Sequence, residues 1–375
     1  MNRRIFLKKS MAATAVLAGP GVWVSACSRN LRSDLMGQPP VAGSLNQAVW
    51  NILYHASLAP SGHNSQPWFV EMINETEWII GSDERRWLSR VDNTNREVML
   101  SLGAFIENLV QSAAATGFHA DVQVIARDRF DSRIARVNLT RTFPVDIPLA
   151  RLVKRRTVKS HLLPGELKAT DVTAFSKAAP GHLYYFPRGS SHSEHMAREA
   201  VANFEHQFKN EGAVQETADW TRLSDKDARK FRDGLTPDGM EITGIAGWVA
   251  RNLLDRQDVL GATFRRKGVE KTKKQAGEGA GWLVITSSGT SVKALLECGR
   301  QFQRMALLAR EKMIGLHPMT QTLEEKPGQK NIRDNHGPGT LPQFMIRAGY
   351  LDKYPEPVSL RRPVDWFLKS PGAIS

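Results

Sequence analysis

Cysteine is nearly missing from this sequence: 375 residues hold only Cys27 and Cys298. That excludes a disulfide-scaffolded fold, and no Cys/His grouping has the spacing of a zinc site, so no metal centre is expected. Long apolar runs are missing too, and a mean hydropathy of −0.36 excludes a polytopic membrane protein. Negative charge is in short supply: 51 Lys and Arg against 38 Asp and Glu leave a net +13. Residues 1–26 contribute four of these positive charges and no acid, so the remainder carries +9. Such an excess favours anionic partners, phosphates or lipid head groups alike. The common nucleotide and hydrolase motifs are also absent. Gly277-Glu278-Gly279 runs into Ala280-Gly281 and fits neither a dinucleotide fingerprint nor a Walker loop, and there is no G-x-S-x-G elbow. Glu324-Glu325 lies in a polar stretch and reads as solvated. What is present, 41% hydrophobic and 24% charged residues, is ordinary globular usage with enough length for two domains or one bilobal one.

The first residues read as an address. MNRRIFLKKS, then a short apolar stretch broken by Gly19-Pro20-Gly21, then small residues, is a signal peptide rather than a spanning helix. Arg3-Arg4 before Phe6-Leu7-Lys8 is similar to a twin-arginine signal, whose export machinery moves proteins already folded. Val24-Ser25-Ala26-Cys27 resembles a lipobox with Cys27 as the acylated residue, although Val24 replaces the usual leucine and simple cleavage after Ala26 fits as well. The expectation is an exported, periplasmic protein with membrane contact through a lipid anchor only. Nucleic acid is not an expected partner for such a protein.

Residues 27–43 hold Gly and Pro with little apolar periodicity and read as a linker. Ser44 is expected to open a helix with Val49, Ile52, Leu53 and Ala56 on one stripe. WFVEMI and EWIIG predict a hairpin, 94–116 a long helix closed by Gly117, and DVQVIA with IARVNLT a second strand pair. After Pro148 the scheme restarts: the basic turn LVKRRTVKS, a helix over 165–178, the strands HLYYF and WLVITSS, a long helix over 290–314 ending at Gly315, and FMIRAGY as the last strand. SLGAFIENLVQSAAATG and ECGRQFQRMALLAREKMIG each carry a Gly near the start and another after the last turn, as an internal duplication would leave them. The expected fold class is α+β, with a first half at 44–145 and a second at 146–368. Residues 205–280 fit neither copy and read as an inserted cover. Cys298, in an apolar helical pattern, reads as a small buried hydrophobe.

Two segments could carry chemistry. The loop Pro60-Ser61-Gly62-His63-Asn64-Ser65-Gln66-Pro67-Trp68 is rich in amides and hydroxyls, which suit the edge of a heterocycle and ribityl hydroxyls. Composition alone favours the plainer reading, a turn that caps the helix and feeds the strand, with His63 a hydrogen-bonding loop residue. Lys154-Arg155-Arg156-Thr157-Val158-Lys159 would make a phosphate clamp, and Arg361-Arg362-Pro363 another; solvated basic turns are the alternative for both.

In this order the pieces resemble the nitroreductase superfamily of FMN-dependent oxidoreductases. ASLAPSGHNSQPWFV is similar to the family's A-x-x-A-P-S-x-x-N-x-Q-P-W signature, and Arg155-Arg156-Thr157 to its Arg-Arg-Ser. Gly315-Leu316 and Pro318 resemble the Gly-Leu helix end and the segment after it, and RAGYLDKYPEPVSLRRPVDWFL the closing strand and basic tail. The resemblance spans roughly 44–368 with 205–280 poorly matched. Ordinary members carry the Arg-Arg-Ser before the A-P-S loop, whereas here the loop comes first; a fused pseudo-dimer with one complete site is implied, as in the Acg subgroup with its lid. Asp233-Gly234 would then lie on the lid.

The resemblance implies FMN. Its phosphate would be held by Arg155, Arg156 and Thr157 with Arg361 or Arg362. Its ribityl chain and ring edge would be fixed by Ser61, Asn64 and Gln66, and its ring lined by Met319, Thr320 and Gln321. Trp68 is assigned to the core, and no protein acid or base is assigned, because the flavin would carry the chemistry. The implied activity is two-electron transfer to a small nitroaromatic or quinone-like acceptor. Export leaves the electron donor open, since nicotinamide nucleotides are not normally available outside the cytoplasm. A non-enzymatic flavin store closed by the lid is the competing expectation.

Overall fold

The structure is a computed structural model that describes residues 31–36, 45–336 and 340–369. The twin-arginine stretch, Cys27 and Ser44 lie outside them.

The chain is α+β, built as two sheets. In the first, β1 (Trp68–Met72), β2 (Glu77–Ser82), β3 (Phe118–Val124) and β4 (Arg133–Arg141) follow the order β3-β4-β2-β1. β1 and β2 form the expected hairpin, with Trp68 opposite Ser82 and Met72 opposite Trp78. The second sheet has the order β5-β6-β8-β7, from β5 (Leu183–Pro187), β6 (Gly281–Thr286), β7 (Ile314–Pro318) and β8 (Pro342–Tyr350). β8 is not the last strand: the tail crosses back, and β9 (Leu368–Lys369) lies parallel to β1 at the edge of the first sheet.

Helices α1 (Leu31–Met36), α2 (Gln47–Ser57) and α3 (Arg96–Ala115) belong to the early part of the chain. α2 is capped by Asn46, whose side chain accepts from Ala48 N–H. After α4 (Ala150–Lys154) and α5 (Ala169–Ala178) come α6 (Ser191–Gln207) and the helices of the insertion: α7 (Glu211–Asp219), α8 (Asp225–Phe231), α9 (Gly244–Leu253), α10 (Arg256–Leu260) and α11 (Ala262–Ala276). The chain continues through α12 (Val292–Glu311), α13 (Gln321–Glu324) and α14 (Lys326–His336).

α3 and α12, the two long helices, cross at the centre. Only glycine fits the crossing: a Cβ on Gly103 would stand 2.1 Å from the Leu296 carbonyl oxygen, and one on Gly299 2.1 Å from that of Leu100. The contact is reciprocal, each helix offering a glycine to the other's backbone. Arg300 and Arg304 of α12 both reach the buried Glu107 of α3 at 3.0 Å, and Gln303 donates to Asn108 at 2.7 Å. These polar contacts fix the register of an otherwise apolar seam. Trp68 is fully buried with its ring 5.0 Å from Phe105, and Cys298 is buried in the same core, which holds its thiol well above the usual range.

Three expectations change. Residues 31–36 are helix rather than linker, and Leu31 packs on Ala228 and Leu360. The helix expected from 165 begins at Ala169, with Lys168 at its N-cap. α12 ends at Glu311, Met313 turns the chain with φ +56°, and Gly315 therefore sits inside β7 rather than at a helix end. A side chain at Gly315 would meet Leu162 at 2.5 Å, so close packing against the 158–162 segment is what that glycine permits.

Candidate functional site

A cavity of about 1180 Å³ lies beneath the insertion, lined by both halves of the chain. That exceeds the roughly 300–1,000 Å³ of a one-ligand pocket, so there is room for a cofactor and a second molecule.

The loop after α2 forms one wall. His63, Asn64 and Gln66 all have positive φ, at 48°, 53° and 53°. Three non-glycine residues in the left-handed region within four positions are costly unless the surroundings enforce them. The enforcement is visible. Ser61 Oγ accepts from Gln66 N–H at 2.9 Å, and Asn64 Oδ1 accepts from Arg361 at 2.8 Å. Gln66 donates to the Arg232 carbonyl and accepts from Arg362 N–H, both at 2.9 Å.

At this wall three guanidinium groups converge: Arg32 from α1, Arg155 after α4, and Arg361 from the tail. Arg361 donates to the carbonyls of Leu58 and Ala59 at 3.2 and 3.0 Å, and Arg155 to Leu58 at 3.5 Å. Burial, then the neighbouring charges of Arg32 and Arg155, push Arg361 well below its ordinary pKa. Burial lowers Arg155 to about 10, with Arg32 adding to the effect, and burial also lowers Arg32. Nε of Arg155 and Nε of Arg361 are buried without a hydrogen-bond partner. Like charges gathered away from water, with two Nε–H donors of Arg155 and Arg361 unspent, have the chemistry to bind an anion.

Arg156 and Thr157 also line the cavity, but Arg156 is already engaged. It bonds the Glu356 carbonyl at 2.7 Å and pairs with Glu241 at 3.3 Å. Gln66 and Arg362 stand outside the cavity lining. Arg362 donates to the carbonyls of Gln66 and Trp68, both at 2.7 Å, so this pair ties the tail to the loop from behind. Met319, Thr320 and Gln321 line the cavity with Phe302 and Phe344, and so do Ser61 and Asn64. Asp233 is not over the cavity: it is buried at the root of the insertion, where Arg86 and Arg222 reach it at 2.9 and 3.0 Å. Gly234 beside it does line the cavity and donates its N–H to Asn64 O at 3.2 Å.

Several lining residues escaped sequence reading. Arg32 sits in a six-residue helix whose only signal was the Leu31/Leu35 spacing. Lys159 closes the basic turn and lines the cavity, although the phosphate-holding set implied by the resemblance left it out; burial lowers its pKa to about 8 despite nearby Glu241. Glu324 is not on an open polar surface: it is half-buried in the cavity lining, accepts from Gln207, and is within hydrogen-bonding reach of Glu97. His63 is half-buried in the lining and neutral, held at about 4 by loss of solvent, with Glu97 and Lys159 acting in opposite directions.

The donor set fits a phosphate monoester joined to a large planar heterocycle. The arginines match the doubly charged end, the amides and hydroxyls of Ser61 and Asn64 match a polyol, and the apolar wall matches the ring. FMN is such a molecule.

No family model matches the chain. Loose overlays relate it to a nitroreductase-like family protein from Bacillus cereus, with TM-score 0.32 and 11% identity, covering 61% of this chain and 97% of that one. A putative nitroreductase from Anabaena variabilis gives TM-score 0.36 and 10% identity, covering 94% and 100%. These overlays decide nothing about the site. Among curated proteins, the probable NAD(P)H nitroreductase PigM of Serratia sp. is 22% identical over 331 residues, 82% of this chain and 90% of PigM. The putative NAD(P)H nitroreductase Rv3131 of Mycobacterium tuberculosis is 23% identical over 337 residues, 87% of this chain and 92% of its own length. Over more than four-fifths of its length, this α+β chain is thus similar to proteins named as NAD(P)H nitroreductases.

Proposed function

We propose that this protein is an exported FMN-dependent oxidoreductase of nitroreductase type, acting on a small nitroaromatic or quinone-like acceptor. The observation that carries the reading is the convergence of Arg32, Arg155 and Arg361, with two unpartnered Nε–H groups, in the lining of a cavity larger than a single ligand needs. The names of the similar proteins support the reaction type.

In this reading the three arginines hold the phosphate, and Arg156 positions the turn through Glu241. Ser61 and Asn64 meet the ribityl chain, and the 319–321 segment lines the ring. When bound, FMN supplies two-electron transfer through its N5. The halves 44–145 and 146–368 are then duplicated units, a reading supported by the reciprocal glycines of α3 and α12.

Every exposed residue of the cavity lining falls within 243–267: Thr243, Ile245, Ala246, Asp258, Thr263 and Lys267. The cavity therefore opens through the insertion, and acceptor access favours an enzyme over a sealed flavin store. The similar proteins are named for NAD(P)H, whereas an exported chain calls for a donor present outside the cytoplasm, such as a quinol or a redox protein.

The test is an absorption spectrum of the folded mature protein, followed by chromatography of the released chromophore. Stoichiometric FMN is expected. A colourless protein that takes up no added FMN removes the proposal. Rapid reduction of the bound flavin by NADH would remove the donor assignment alone.

A further inference from the structure

Elsewhere in the cavity lining, two carboxyl groups meet. Glu97 comes from the first turn of α3 and Glu324 from the last residue of α13, so each half of the chain contributes one. Both line the cavity. Glu97 Oε1 accepts from Arg96 at 3.0 Å and from Thr320 at 2.9 Å, while its Oε2 lies against Gly62 of the loop, where a Cβ would stand 3.1 Å away. Glu324 Oε2 accepts from Gln207 Nε2 at 2.5 Å. The two carboxyls are within hydrogen-bonding reach of each other. Two ionised carboxylates have no hydrogen to share, so that contact requires a proton.

The other charged and titratable groups around the pair point the same way. Arg96 is shared between Glu97 and the Gln343 carbonyl, to which it donates at 2.7 Å. Asp92 is occupied by the backbone N–H groups of Arg96, Glu97 and Val98 at the start of α3. His63 is neutral. No cation bonds Glu324 among the described residues, and burial first, then Glu97, holds its carboxyl well above the usual range.

We infer that Glu324, positioned by Glu97 and Gln207, holds the proton that completes reduction of the acceptor. This rests on the reductase reading above. Converting a quinone to a hydroquinone takes two electrons and two protons. A hydride from the reduced cofactor brings both electrons and one proton, forming the first bond to hydrogen. The Glu324 O–H breaks to deliver the second proton to the other oxygen, and water entering the cavity restores it. A nitro group going to nitroso takes the same two electrons and two protons, and releases water. Glu97 acts as a positioning residue through Glu324.

Infrared spectroscopy tests the shared proton without cofactor or turnover. The purified full-length mature protein is expected to show a protonated-carboxyl stretch, shifted in D2O, that persists about two pH units above the titration of Asp92, which lies at about 7, and disappears there in Glu324→Gln. Absence of the band, or its survival in Glu324→Gln, overturns the inference. Delivery is read in the flavin-loaded protein, with pre-reduced flavin and benzoquinone as acceptor. Glu324→Gln is expected to lower the oxidation rate by roughly 10²-fold or more and to remove the alkaline limb of its pH profile. Flavin occupancy, read from the absorbance ratio, should not change. Glu324→Asp should recover part of the rate and the limb. An unchanged rate in a Glu324→Gln protein that folds and binds flavin overturns delivery even if the band is present. A protein that never binds FMN instead removes the reductase reading, and the infrared result still judges the pair.

Discussion

Two clusters in the cavity lining solve opposite electrostatic problems. In one, three arginines are buried together with backbone carbonyls and an amide; burial lowers all three, and the neighbouring guanidinium groups add to the effect for Arg155 and Arg361. In the other, half-buried carboxyl groups meet Gln207 and Thr320, and loss of solvent with mutual repulsion pushes Glu324 up. The guanidinium cluster cannot relieve its charge by titration, because guanidinium holds its proton far above physiological pH. The carboxyl cluster can, by keeping a proton. In the proposed reading the first difference serves an anionic ligand and the second a stored proton.

The largest effect that separates the clusters is expected from Arg361→Met. It should weaken flavin binding by roughly 100-fold or more, since charge-assisted contacts to phosphate are lost. The same change takes the donor from Asn64 Oδ1 and the Leu58 and Ala59 carbonyls, so the thermal midpoint of the flavin-free protein should fall as well. Tighter or unaltered flavin binding, measured by titration, would break the comparison. Next, inorganic phosphate alone should stabilise flavin-free protein, by about 2.7 kcal/mol at a hundredfold excess over its Kd, and Arg361→Met should abolish the gain.

Asp233→Asn should have an intermediate effect. It leaves Arg86 and Arg222 without their buried partner at the root of the insertion. Breaking a buried pair costs about 3–5 kcal/mol in other proteins. Hydrogen exchange should show 220–236 opening, while α3 and α12 stay protected.

The smallest effects are in pH. A carboxyl with a raised folded pKa contributes stability that is full below its unfolded pKa and is lost as pH rises. Glu324→Gln should therefore gain on the wild type in urea melts as pH climbs above the ordinary carboxylate range. Asp92, raised to about 7 by burial and Glu97, remains in both proteins and sets the residual slope. His63 has the opposite sign. Its folded pKa of about 4 contributes stability above 6.5 that is lost as pH falls towards 4, so His63→Gln should flatten the acid side.

Local patterns made much of this molecule legible. The stripe at Val49, Ile52, Leu53 and Ala56, the alternation of the β1–β2 hairpin and both long helices follow from periodicity. Ser61, Asn64, Arg155 and Arg361 were singled out, and all line the cavity. What escaped depends on contacts remote in sequence. Glu324 sits beside Glu325 in a polar run, and only the approach of α6 and α3 half-buries it. Arg32 precedes Ser33-Asp34 in a stretch too short to show a period, and its helix is held by Leu360, far along the chain. Gly315 looked like a helix stop because glycine serves both purposes; in β7 it admits Leu162 instead. Gln66 and Arg362 looked like ligand groups, yet their hydrogen bonds are spent on each other and on nearby backbone.

The tail that carries Arg361 and continues into β9 also bears on how the protein is made. Arg361 bonds Asn64 across 297 positions, and β9 closes onto β1 beside it. Synthesis runs from the amino end at about 5–20 residues per second, so the loop and the basic turn emerge well before the tail. During that interval Arg361 is still missing from the arginine cluster. In the proposed reading, FMN capture therefore follows synthesis of the tail, and a ribosome stalled before residue 361 should present a nascent chain that cannot retain flavin.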